Sequence, residues 1–247
     1  GNPNTANSSD AADENGYAKA VKTDKGDIID CTVVGLTAGV TPNIDFLKDS
    51  GIALGKGVKV NTLLETNVKD IYAIGDCAEQ HKAIGNRRPV EAVWYTGRMM
   101  GETIAQTICG KPTEYKPGHW FNSAKFLDIE YQTYGWVHSE RNKEEFEEHF
   151  HWRHNKENIC ITMAFDNNTK LFLGINTFGI RMRHEIFDRW LTEKRTINYV
   201  MEYLKDANFD PELYRAYEDE IVCKFNTDFR EAITIKKKSW KRIFSKA

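Results

Sequence analysis

The chain has 247 residues, 40% of them apolar and 28% charged, with a formal net charge of −2. That length allows one or two domains with a real core, and the near-neutral balance argues against nucleic-acid binding. No window approaches the ~20 consecutive apolar residues of a membrane-spanning helix. Cys31, Cys77, Cys109, Cys160 and Cys223 are widely spaced, without a CxxC or zinc pattern, and read as reduced thiols of a cytoplasmic protein. No signal-peptide pattern opens the chain. Its first residue is Gly1 rather than Met, as expected of a cloning remnant or a cut fragment.

Residues 1–16 are polar and rich in Asn, Ser and Asp, a loop or frayed end. Residues 17–21 and 28–34 have strand composition around Thr23, Asp24, Lys25 and Gly26, which predicts a β-hairpin. Residues 35–43 form a small-residue crossing segment, and 45–49 a short helix stopped near Gly51. Short strands are predicted at 58–60 and 71–74. From Glu91 to Cys109, Val93, Trp94, Met100, Ile104 and Ile108 fall near helical spacing, and Gly110 with Pro112 ends the helix.

Composition shifts at 113–119, which reads as a linker. Strands are predicted at 126–137 and 146–152, and a hairpin from 159–165 to 171–175 around Asp166, Asn167, Asn168 and Thr169. Residues 183–205 and 211–232 read as helical. The predicted fold class is an α/β part, to about residue 110, followed by an α+β part.

The stretch TNVKDIYAIGDC ends an apolar run in Gly75 and Asp76. Ligands of open α/β sheets lie beyond the carboxyl ends of strands, and Asp76 is expected at such an end. A carboxylate there accepts hydrogen bonds from hydroxyls and repels phosphates. The backbone N–H groups from Cys77 onward suit a phosphate oxygen. The alternative is that Asp76 caps the following turn.

The same stretch resembles the second FAD motif of the pyridine nucleotide–disulfide oxidoreductase superfamily, T-x-x-x-x-I-Y-A-x-G-D. Thr66, Ile71, Tyr72, Ala73, Gly75 and Asp76 match it. The resemblance implies that Asp76 hydrogen-bonds the ribityl chain of a flavin, with Gly75 and Cys77 beside it. GDIIDCTVVGLTAGVTPN is similar to the family segment that leaves the NAD(P)-binding domain and returns to the FAD domain, with Gly35, Gly39, Pro42 and Asn43 at its small and turn positions. Thr96-Gly97-Arg98 lies where relatives carry a Gly-Arg step, in a helix aimed at the isoalloxazine. The backbone N–H groups of Glu91, Ala92 and Val93 are thereby implied as flavin contacts, at the positive end of a helix dipole. The bland reading of that stretch is an ordinary amphipathic helix. Trp120-Phe121-Asn122-Ser123 is similar to the run that opens the C-terminal domain of ferredoxin and rubredoxin reductases, and Gly135 matches a glycine further on. Asn122 stands where those relatives carry Trp, and Trp120 and Phe121 read as core residues rather than flavin contacts.

No GxGxxG is present for FAD or for NAD(P), and the His-Pro…Glu base motif of disulfide reductases is missing from the C-terminal part. The expectation is therefore the C-terminal portion of a longer FAD-dependent NAD(P)H oxidoreductase. Residues 1–34 would be a remnant of the NAD(P)-binding domain and 35–112 the returning half of the FAD domain. Residues 113–235 would be an α+β domain of dimerisation or interface type, and 236–247 a basic tail. FAD and NAD(P)H are the implied cofactors of the parent. Its partner would be a small electron-carrier protein or small-molecule acceptor, with a homodimer as one arrangement. The isolated chain is expected to be inactive and to retain no flavin. The rival reading is a non-catalytic dimerisation or docking module derived from such a reductase.

Other features read as structural. His149 and His151 share a strand face, but no further ligand stands at metal spacing. Met99 and Met100 fill core. Arg181 and Arg183 form a solvated face, or receive an acidic electron carrier. Lys236, Lys237, Lys238, Lys241, Arg242 and Lys246 make the chain end basic. Trp240, Ile243 and Phe244 there have helical spacing, which suits a flexible solubilising tail or contact with an anionic membrane surface.

Overall fold

The structure, a computed structural model, describes residues 13–37, 39–82, 87–209 and 215–236. Most of the polar start, Ala38 of the crossing segment, residues 211–214 of the last predicted helix and all but Lys236 of the basic tail lie outside the described residues. Two compact units are present, residues 1–42 and 43–247.

The first unit holds the predicted hairpin. β1 (Ala20–Lys22) pairs antiparallel with β2 (Ile28–Asp30). Between them Thr23 N–H donates to the Asp27 carbonyl and Gly26 N–H to that of Thr23, with Gly26 at φ 90°. Both strands are shorter than predicted: among the described residues the ladder ends at Asp30, and Val33, Leu36 and Val40 are exposed.

The second unit opens with a 3₁₀ turn, Asp45–Leu47, in place of the predicted short helix. β3 (Val58–Val60) pairs in parallel with β4 (Ala78–Gln80). Helix α1 (Trp94–Ile108) packs Met100 and Ile104 onto Val60, Leu64, Ala78 and Tyr115. The predicted strand at 71–74 is corrected. That segment is extended, but it makes only a bridge from Tyr72 to Glu65, with Ala73 N–H donating to the Leu64 carbonyl. Among the described residues it pairs on one side, around a turn with Asp70 at φ 65°, and leaves Ile71 and Ile74 part-exposed. The ladder strand β4 follows Asp76 instead of preceding it.

The α+β part is a five-stranded antiparallel sheet, β5 (Phe121–Phe126), β6 (Ile129–Gly135), β7 (Glu147–Arg153), β8 (Cys160–Asp166) and β9 (Phe172–Phe178), in the order β5-β6-β9-β8-β7. The single strand predicted at 126–137 is thus the second arm of a hairpin that turns at Leu127 (φ 51°) and Asp128. Tyr134, Ile175, Met163 and Phe150 stand opposite one another across four strands. Onto that face pack α2 (His184–Thr192) with Phe187 and Trp190, α3 (Ile197–Glu202) with Val200 and Met201, and α4 (Glu218–Phe229) with Ile221 and Phe225. The helix predicted at 183–205 breaks at Lys194, which takes φ 52°. Among the described residues, no helix is long and apolar enough to cross a membrane.

Candidate functional site

Gly75, Asp76 and Cys77 form a single 3₁₀ turn between the extended segment and β4. Gly75 takes φ 73°, where a side chain would be strained. Its N–H points at the Met100 sulfur, 3.3 Å away on α1. A Cβ on Gly97 would lie 3.5 Å from Gly75 Cα, in van der Waals contact, so the turn and α1 meet closely at this glycine. The Thr-Gly-Arg step singled out in the sequence therefore seats the aspartate turn on α1, at the helix's fourth residue. Asp76 itself is exposed, and the turn carries no side-chain cap bond.

Val93 is the N-cap residue of α1, with extended backbone at φ −136°. The first intrahelical bond runs from Gly97 N–H to the Val93 carbonyl. Trp94, Tyr95 and Thr96 thus form the first turn, whose N–H groups have no partner inside the helix. Of the three amides implied by the resemblance, that of Val93 is already committed to the Glu91 carbonyl at 2.9 Å. Glu91 and Ala92 precede the helix, and Ala92 is exposed. The helix starts three residues later than predicted, which shifts the available donors to Trp94, Tyr95 and Thr96. Trp94, 67% exposed, packs edge-on against Tyr95 and lies 5.6 Å from the Arg98 guanidinium.

Glu91 is only 8% exposed, and its carboxylate meets the equally buried Arg87. Arg87 Nε donates to both Glu91 oxygens at 3.0 and 3.1 Å, and Nη2 donates to Oε2 at 2.5 Å. Thr96 Oγ1 donates to the same Oε2 at 3.1 Å. Tyr115 lies behind this cluster, and burial pushes its hydroxyl up to about 12, so it stays protonated at neutral pH. On the other side Tyr95 hydrogen-bonds Ser123 at 2.9 Å and packs on Phe121, whose ring centroid lies 4.3 Å from that of His184, tilted by 46°. Burial holds His184 below the ordinary histidine range. Arg87, Tyr95 and His184 were not singled out from the sequence, and Trp94 only as an apolar helix position. The pair Arg87 and Glu91 at helical spacing was the readable signal for the first of them.

The arrangement fits the sugar-alcohol and ring end of a flavin. An exposed carboxylate follows a positive-φ glycine, and the N-terminal part of α1, whose first N–H groups have no partner inside the helix, lies against the same turn. Elsewhere, His138 and His149 share the buried Glu147, and His151 bonds Thr162. Among the described residues, no group of three or more His, Cys, Asp or Glu side chains is placed to hold a metal ion.

Residues 4–101 match the family described as pyridine nucleotide-disulphide oxidoreductase. NADH-rubredoxin oxidoreductase of Clostridium acetobutylicum is 35% identical over 99 residues, 40% of this chain and 24% of that protein. The ferredoxin reductase subunit of 5,5'-dehydrodivanillate O-demethylase from a Sphingobium species is 38% identical over 136 residues, 53% of this chain and 32% of that one. The chain thus spans about a quarter to a third of these relatives. In fold it is similar to an NAD-dependent persulfide reductase of A. fulgidus, with a TM-score of 0.66 and 17% identity over 89% of this chain and 42% of that one. An FAD-dependent pyridine nucleotide-disulphide oxidoreductase of Desulfovibrio vulgaris gives a TM-score of 0.62 at 20% identity, over 88% of this chain and 54% of that one. Residues 4–101, the segment that carries the Gly75–Cys77 turn, are thus similar to the pyridine nucleotide-disulphide oxidoreductase family.

Proposed function

We propose that this chain is the C-terminal portion of an FAD-dependent NAD(P)H oxidoreductase that passes electrons to a small carrier protein or small-molecule acceptor. The carrying observation is the seating of the Gly75–Cys77 turn on Gly97 of α1, which brings a free carboxylate and a helix N-terminus to one place. Bound FAD would supply the chemistry, taking a hydride from NAD(P)H and releasing electrons one or two at a time. Asp76 would accept hydrogen bonds from the ribityl hydroxyls. The N–H groups of Trp94, Tyr95 and Thr96, with that of Ala92, would stabilise negative charge at the ring edge through the positive end of the helix. Residues 35–112 would serve as the returning half of the FAD domain, and 113–235 as a C-terminal domain next to it. A carrier protein as partner is supported by the names of relatives that reduce rubredoxin and by a covalent putidaredoxin reductase–putidaredoxin complex of similar fold.

A second reading is favoured by one surface. Phe126, Leu127 and Ile129, at the β5–β6 turn, are exposed beside Phe178, as in a docking or dimerisation module without catalysis. One experiment separates the two. The reading frame upstream of Gly1 is examined for two glycine-rich dinucleotide motifs, and the protein extended by that segment is assayed for FAD content and for NADH and NADPH oxidation. Motifs with a yellow, active protein support the reductase; a colourless protein without them supports the module.

A further inference from the structure

Arg87 makes contacts in two directions. Toward α1 it holds Glu91 through three hydrogen bonds and reaches Thr96 Oγ1, in the first helical turn, at 3.3 Å. Toward the five-stranded sheet, Nη1 donates to the His119 carbonyl at 3.2 Å, and the guanidinium lies 5.3 Å from the Trp120 ring. Trp120 stacks on Trp136 at 5.4 Å and 11°, so the far side of the contact is itself fixed. Gly135, next to Trp136, donates back to the Trp120 carbonyl at 2.7 Å.

A planar five-donor fork can satisfy a carboxylate, a hydroxyl, a carbonyl and an indole face at once; an ammonium cannot. A buried ion pair adds little net stability over apolar residues of the same size, which leaves geometry as the reason for its presence here. From these contacts we propose that Arg87 is a positioning residue, which locks the N-terminal turn of α1 to the start of the five-stranded sheet. The proposal deepens the flavin reading, and the functional consequence rests on it: the helix end presented to the flavin would keep its place only while Arg87 bridges the two parts.

The bridge is testable on the chain as it stands. R87K keeps the charge and loses the fork, whereas R87M/E91M removes both charges and leaves no uncompensated carboxylate. Amide hydrogen exchange is followed by mass spectrometry alongside thermal unfolding and the near-ultraviolet circular dichroism of the stacked indoles. In both variants, exchange at residues 97–99 and 121–123 is expected to accelerate at least tenfold. The Trp120–Trp136 signal should fall, while exchange in β8 stays as in wild type. Unchanged local exchange in R87M/E91M overturns the proposal, as does acceleration spread evenly over the whole chain. In the extended protein, R87K is expected to raise the flavin dissociation constant at least tenfold. A wild-type extended protein that binds no flavin sinks the functional reading and leaves the exchange result standing. A wild type that binds flavin beside an R87K variant of equal affinity and equal exchange sinks the positioning role alone.

Discussion

Glu147 shares one carboxylate between two imidazoles. Oε2 accepts from His138 Nδ1 and Oε1 from His149 Nε2, each at 2.6 Å, and Oε1 also takes the backbone N–H of His138. Burial pushes the Glu147 carboxyl up, but the bonds from His149 and His138 outweigh it and hold the group below its ordinary 4.5. A depressed carboxylate contributes stability above its unfolded value and loses it as pH falls through the folded value. Urea midpoints should therefore drop on acidification below about pH 4.5, where the unfolded chain takes up the proton first. E147Q should flatten that part of the pH profile. An identical acid slope in wild type and E147Q would contradict the assignment.

Gly135 ends β6 with φ 67°, and a Cβ there would meet the Leu173 carbonyl and, at 3.0 Å, the Gly174 Cα. Both objections are to backbone, which cannot move aside as a flexible side chain does. G135A should destabilise the chain by about 2–4 kcal/mol, from left-handed strain and overpacking together. Thermal or urea unfolding checks it. A melting temperature equal to wild type would mean that the sheet has room which this packing denies.

Thiol reactivity separates the cysteines by exposure. Cys109 and Cys223 are exposed, whereas Cys160 is half-buried and burial pushes its thiol up. With Ellman's reagent near neutral pH, Cys109 and Cys223 should react fast and Cys160 at least tenfold more slowly, because only the thiolate attacks. Single Cys→Ser variants assign the phases; a fast phase that survives C109S/C223S and vanishes with C160S would overturn the order.

Where local chemistry and tertiary packing agree, the fold was legible. Asp166 accepts from the N–H groups of Asn168 and Thr169, the turn signature that marked the β8–β9 hairpin. Gly26 marked the first hairpin in the same way. The β5–β6 turn was missed because Leu127, not a glycine or asparagine, adopts the left-handed conformation there. Lys194 breaks a helix for the same reason and carries the same silence. Residues 71–74 have strand composition, but a ladder depends on a partner that composition does not name. At the candidate site the motif marked the Gly75–Cys77 turn, and helical spacing marked α1. The exact first turn was displaced: Val93 is the extended N-cap of the helix, its N–H bonded to the Glu91 carbonyl. Periodicity marks a helical face but not the residue that opens it.

The most direct test of the flavin reading is the FAD affinity of the extended protein with and without the Asp76 carboxylate. Asp76 is exposed and bonds no cap, so D76A should leave the melting temperature unchanged. The account predicts a flavin dissociation constant at least tenfold larger in D76A, about 1.4 kcal/mol of lost contact. Equal affinity in the two proteins, each fully folded, would contradict it.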